Sequence, residues 1–245
     1  MKKSNWTRII FTGLCAVFAA QIQAERIVER EIPKMMSAPT MDGDLSEWKD
    51  LASFELLPPS WKHKYDHSAR VWMAWDAKNF YFAVKVYDQK LINANDPAKG
   101  LYMGDQVRLR ISAQPEKQDA QFGTADREIF VAPVSADGSA ACTFKAGGED
   151  LKVVAAEGGE ITWAVATHDR GYIVEYKIPV AQLGVEELKK GEDAISYNLA
   201  IYDRDKDSAD EWKQTHIRIS SSSVKKQPRE WPTVRLSEKV LILED

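Results

Sequence analysis

Asp203, Asp205 and Asp207 stand at alternate positions in the run DRDKD, with Asp210 and Glu211 just beyond, and so gather five carboxylates within nine residues. Hard oxygen donors of this kind suit calcium. The run has serine where an EF-hand loop needs its sixth-position glycine and glutamine where it needs its twelfth-position glutamate, so it is not an EF-hand. Two readings stay open: a solvated charged loop, which is the expected one, and a structural calcium held by Asp203, Asp205 and Asp207. His63 and His67 lie four apart in HKYDH, after Pro58-Pro59. The proline pair marks a loop, and no third or fourth zinc ligand is in evidence, so surface histidines are expected there.

Nucleophilic chemistry finds little support. The chain contains no G-x-S-x-G, no H-E-x-x-H and no glycine-rich phosphate loop. Cys142 sits in the strand-like run from Ala140 to Phe144 with no histidine close in sequence, which fits a buried small hydrophobe better than a nucleophile. Paired carboxylates for glycosidic chemistry are defined by separation in space rather than in sequence, and stay open. Aromatic residues offer something else. Trp72, Tyr81, Arg108 and Arg110 all fall on the non-core side of their strands. Rings beside planar polar groups are the ingredients of a sugar platform, with a pyranose face on the ring and its hydroxyls hydrogen-bonded alongside. Trp75 and Trp163 are expected in the core.

The elements that must position these groups are strands. VWMAWD and FYFAVKVYD alternate with period two around Ala77-Lys78-Asn79, which predicts a hairpin with Trp75 opposite Phe80. Val71, Met73, Phe80, Phe82, Val84 and Val86 then share the buried face with Trp75. Further strands are predicted over 106–112 with Val107, Leu109 and Ile111 inward, over 128–136 and 139–145 around Asp137-Gly138, and over 161–166, 171–178, 195–202 and 213–220. Helical candidates are confined to a turn starting at Pro179 and the segment Val185 to Lys190. Many short strands without alternating helices predict an all-β fold: an antiparallel, jelly-roll-like β-sandwich with one or two short helical turns.

Lys2, Lys3 and Arg8, the apolar stretch Ile9 to Ala20 and the small-residue exit Ile22-Gln23-Ala24 follow the order of a secretory signal peptide. Residues 1–24 are therefore expected to be removed, leaving 25–245 as one domain in the periplasm or outside the cell. Leu14 before Cys15 disfavours a lipid anchor. Beyond the leader no apolar run is long enough to span a membrane, so no integral membrane association is expected. The chain has 33 basic and 37 acidic side chains, a net −4 that becomes more negative once the leader is lost, and this argues against nucleic acid as a partner. Cys142 is then the remaining cysteine, so no internal disulfide is available and the core must hold the fold.

Six segments in order resemble the family 9 carbohydrate-binding modules and their sandwich superfamily. Pro39 with MDGDLSEW (Met41 to Trp48) resembles the opening P-x-I-D-G-x-x-D-E-W element, and VWMAWDAKNFYFAVKVYD the central hairpin. GDQVRLRI (Gly104 to Ile111), GYIVEYKIP (Gly171 to Pro179), YNLAIYDRD (Tyr197 to Asp205) and WPTVRL (Trp231 to Leu236) resemble the later strands. The resemblance implies a sugar-binding ring at Tyr102 and a polar contact at Arg108, where the family commonly has glutamate. It also implies a second clamping tryptophan, whose place is taken here by Ser221 to Lys226. A secreted, non-catalytic carbohydrate-binding protein in polysaccharide catabolism is the function implied. The alternatives are a periplasmic haem-b subunit of the same superfamily, whose iron is held through Met and Lys and for which Met73, Met103 and several lysines are candidates with none assigned, and a scaffold sandwich binding a protein partner.

Overall fold

A computed structural model describes residues 28–58, 66–117, 121–206, 212–219 and 227–238. The signal-peptide expectation, His63 and Asp207 lie outside these residues. Among them the alternating runs form two sheets. The larger has the order β1 (Val28–Ile32), β13 (Thr233–Leu236), β11 (Gly191–Lys206), β5 (Gln106–Ser112), β6 (Arg127–Ala132), β7 (Ala141–Ala146) and β8 (Lys152–Val154), with β12 (Trp212–Arg218) also paired to β11. The smaller has the order β2 (Ser53–Leu56), β3 (Ser68–Trp75), β4 (Asn79–Tyr87), β10 (Gly171–Pro179) and β9 (Thr162–His168).

The β3–β4 hairpin has the expected register, with Trp75 opposite Phe80, Met73 opposite Phe82 and Val71 opposite Val84. Its turn is made by Asp76, whose Oδ1 accepts from the backbone N–H groups of Lys78 and Asn79 at 2.7 Å each. Asparagine or glycine chemistry in the turn is thereby replaced by an aspartate side chain standing in for the backbone. The inward faces of the two sheets meet in one core. Val71, Met73, Trp75, Phe82 and Val84 pack with Val107, Leu109, Ile111, Ile129, Cys142, Leu199 and Ile201, all buried. Each such side chain contributes about 1.5–3 kcal/mol through apolar burial. Cys142 is inside as expected, and so is Trp163.

The all-β sandwich is as expected, with one departure from antiparallel pairing among the described strands: β1 and β13 run parallel, with Ile32 beside Leu236. Two expectations are corrected. The turn after Pro179 forms a short 3-10 helix over Val180–Leu183, but Val185 to Lys190 is irregular: Leu188 donates its N–H to the Ala77 carbonyl at 2.9 Å instead of to its own chain. The outer face of the smaller sheet is not open. Trp72, Ala74, Tyr81 and Ala83 form a second buried cluster beneath Trp48 and Leu51, with Met41 and Leu45 packed against it.

Candidate functional site

Strand alternation that sends Val107, Leu109 and Ile111 into the core sends Gln106, Arg108 and Arg110 to the outer face of the larger sheet. Pairing of β6, β11 and β12 sets their neighbours: Thr143, Phe130, Arg108, Ala200 and Arg218 follow one another across β7, β6, β5, β11 and β12. The next row is Lys145, Glu128, Arg110 and Asn198. Arg108 is the centre of this face. Its guanidinium carbon lies 3.8 Å from the Phe130 ring centroid, 4.5 Å from that of Tyr202 and 5.6 Å from that of Tyr102. Nη1 donates to the Tyr202 hydroxyl and Nη2 to Gln106 Oε1, both at 3.3 Å. Burial pulls its pKa down, while Tyr202 and Glu128 oppose that shift, and a guanidinium in such a place stays charged.

Tyr102 is 47% exposed and meets Phe130 edge to face at 6.1 Å. It stands between Leu101 and Met103, both at positive φ, which is unusual for side chains of that size. Arg110 is paired with Glu128. Arg108 Nε, Asn198 Nδ2, Ser196 Oγ and Thr143 Oγ1 are buried on this face without hydrogen-bond partners. A buried polar group left this way costs about 1–3 kcal/mol.

The sequence-predicted sugar residues therefore divide. Tyr102 and Arg108 come together, with Arg110 beside them. Trp72 and Tyr81 do not join them: they belong to the other sheet, are 8% and 0% exposed, and are sealed by the Trp48 segment, so neither can stack on a ligand. Tyr81 instead donates its hydroxyl to Asp76 Oδ2 at 2.5 Å. Sequence reasoning missed Phe130, Asn198, Tyr202 and Arg218. The signal was present in the alternation of β6 and β11, where Phe130 stands between inward Ile129 and Val131, and Asn198 between inward Tyr197 and Leu199.

A second constellation closes one end of the sandwich. Asp88 follows β4, Asp105 precedes β5 and Asp203 lies in β11. All three are buried, and one oxygen of each lies within 4.8 Å of the others. Asp105 accepts from the N–H groups of Ile92 at 2.5 Å and Arg204 at 2.7 Å, and Asp88 from that of Lys90 at 2.7 Å. Burial, then the neighbouring Asp105 charge, pushes Asp88 up to about 8. Burial likewise raises Asp105 to about 7, against the pull of its two backbone donors. Tyr172 is fully buried near Asp105 and Asp88, and its hydroxyl has no partner. Of the aspartate run, Asp203 thus enters a cluster whose other members come from elsewhere in the chain, and Asp205 adds charge beside it. His67 is buried rather than on the surface: its ring nitrogens lie 3.4 Å from the Ile201 carbonyl and 3.7 Å from Asp203 Oδ2. The methionines considered for haem are separated in character. Met73 is in the core, and Met103 is exposed, its Sδ accepting from Arg204 Nη1 at 3.1 Å.

Fold and site together define a two-sheet β-sandwich module with one polar, aromatic outer face. Residues 40–239 match the carbohydrate family 9 binding domain-like family, and the chain belongs to that family. A family 9 carbohydrate-binding module from Caldicellulosiruptor kristjanssonii, solved with cellotriose, is similar at a TM-score of 0.62 and 15% identity, over 86% of this chain and 95% of that one. The same organism's module solved with glucose is similar at 0.61 and 14%, over 86% and 97%. At such identities the likeness establishes the fold. No curated protein matches the chain. Among the described residues no helix is long and apolar enough to cross a membrane.

Proposed function

We propose that the protein binds carbohydrate, without catalysing its breakdown, on the outer face of the larger sheet. The observation that carries this reading is the half-exposed Tyr102 ring standing beside a buried Arg108 whose Nε has no partner. A sugar ring stacked on Tyr102 brings its oxygens to Arg108 and Asn198, which satisfies donors that are otherwise buried at a cost. Membership of the family and the sugar complexes of similar folds support the same ligand class. The proposed setting is the periplasm or the cell exterior, in the service of polysaccharide catabolism. A glycan array followed by calorimetry on the winning oligosaccharide tests it. Tyr102→Ala is expected to abolish binding, and binding that survives this change unaltered would place the sugar elsewhere. A Soret band in the purified protein would instead support the haem alternative.

A second proposal concerns a cation. Asp88, Asp105 and Asp203, with the unpartnered Tyr172 hydroxyl nearby, fit a hard ion such as calcium better than the consecutive run Asp203, Asp205 and Asp207 does. Such an ion would neutralise three buried carboxylates and tie the end of β4 to β5 and β11. Isothermal titration of EDTA-treated protein with calcium tests this, with loss of binding expected in Asp88→Asn.

A further inference from the structure

The outer face of the larger sheet is more positive than a neutral sugar requires. Arg108 and Arg110 are two residues apart on one strand, about 7 Å along it. Arg218 lies in the row of Arg108 with Ala200 between them, about 10 Å away by strand spacing. Within the described rows across β7, β6, β5, β11 and β12, the one carboxylate is Glu128, and Arg110 occupies it. Lys145, opposite Glu128 on β7, adds another cation. The chain as a whole carries net −4, so this face stands apart from its surroundings.

The hydrogen-bonding sense of the face points the same way. Arg108 Nε and Asn198 Nδ2, buried and without partners, can only donate. A neutral hydroxyl brings a proton of its own, which Ser196 Oγ or Thr143 Oγ1 on this face can accept, but the guanidinium groups offer it donors alone. A carboxylate or sulfate only accepts, and its oxygens suit a fork of guanidinium donors. Phe130 and Tyr202 hold the Arg108 guanidinium between their rings, which fixes its plane before a ligand arrives.

We infer that the face binds an acidic sugar, with Tyr102 stacking on the ring while Arg108, Arg218 and Asn198 donate to its oxyanion, a uronate carboxylate or a sulfate ester. This rests on the carbohydrate reading above and narrows it. The full chain is titrated calorimetrically with oligogalacturonate, the same oligomer fully methyl-esterified, a sulfated galactan oligosaccharide and cellohexaose. At least one charged probe is expected to bind about tenfold or more tightly than the two neutral ones, with an advantage that shrinks as salt rises from about 0.05 to 0.5 M. The tighter charged probe identifies the anion. Because Arg108→Gln changes a buried residue, the diagnostic variant is the half-buried Arg218→Gln. It is expected to weaken the charged probe by about fivefold or more beyond any change for the neutral probes, and melting curves are recorded alongside because Arg218 also hydrogen-bonds Tyr202. Equal affinity for charged and neutral probes, or an Arg218→Gln loss of the same size for both, would overturn the acidic-sugar inference and leave carbohydrate binding standing. Failure of all four probes to bind would remove the carbohydrate reading itself.

Discussion

Glu175 Oε1 accepts the indole N–H of Trp48 at 2.7 Å across 127 residues of chain. Its Oε2 accepts the N–H groups of Gly43 at 2.6 Å and Asp42 at 3.2 Å. One buried carboxylate on β10 therefore fastens the whole MDGDLSEW segment over the smaller sheet. Gly43 must be glycine there: its φ is +84°, and a Cβ would come within 2.3 Å of the Ala166 Cβ.

Glu175→Gln replaces a triple acceptor with a group that has one acceptor and two donors. It is expected to cost about 2–4 kcal/mol, since bonds to a charged group are the stronger kind and the orphaned donors stay buried. Trp48→Phe should cost less, about 1–3 kcal/mol, by leaving Oε1 unpaired. Urea midpoints measure both. An unchanged midpoint in Glu175→Gln would show that the segment is held by packing alone.

Stability and binding should separate at two aromatic residues. Trp75→Ala opens the core and removes an indole that also donates to the Ile32 and Ser237 carbonyls, at an expected cost of about 3–5 kcal/mol. Tyr102→Ala should change stability by no more than about 0.5 kcal/mol while eliminating sugar binding. The wild-type affinity is expected between roughly micromolar and millimolar, or about −8 to −4 kcal/mol. Thermal melts and calorimetry on the two variants decide whether ring and core have distinct roles.

The aspartate cluster makes stability depend on pH in an unusual direction. Free carboxyls titrate near 4, whereas Asp88 in the native state is pushed to about 8 and Asp105 to about 7. Between those limits the native state holds protons that the unfolded chain has released, so metal-free protein should lose stability as pH rises from about 4 to 8. Calcium takes the ionised carboxylates, and its stabilisation of EDTA-treated protein should therefore be larger at about pH 8 than at about pH 5. Melting curves at both values, with and without millimolar calcium, give the answer. A calcium shift that is absent at both would leave the cluster as carboxyls sharing protons.

What the sequence showed and what it concealed follow from one physical distinction. Alternation states which side of a strand a residue is on, and it located the hairpin register, the inward row of β5 and the outward Arg108 correctly. It does not state what lies over that side. Trp72 and Tyr81 are outward as expected, yet they are covered by a segment anchored through Glu175, more than a hundred residues away. The acidic cluster was hidden for the same reason: Asp88, Asp105 and Asp203 belong to three separate strands or their ends, and only Asp203 stands in a conspicuous run. Val185 to Lys190 took its shape from the neighbouring Ala77 carbonyl rather than from its own helix-compatible residues.

The parallel pairing of β1 with β13 has a mechanical consequence. Among the described residues the first strand and the last lie side by side and point the same way, so tension applied at Val28 and Leu236 pulls them past each other along their length. The ladder between them is then loaded in shear, all of its bonds at once, instead of being peeled open one bond at a time. The Trp75 indole, bonded to the Ile32 and Ser237 carbonyls, adds a peg across the same seam. Single-molecule pulling should show an abrupt rupture at high force, lowered in Trp75→Phe. Gradual, low-force extension from the ends would show that the seam carries no load.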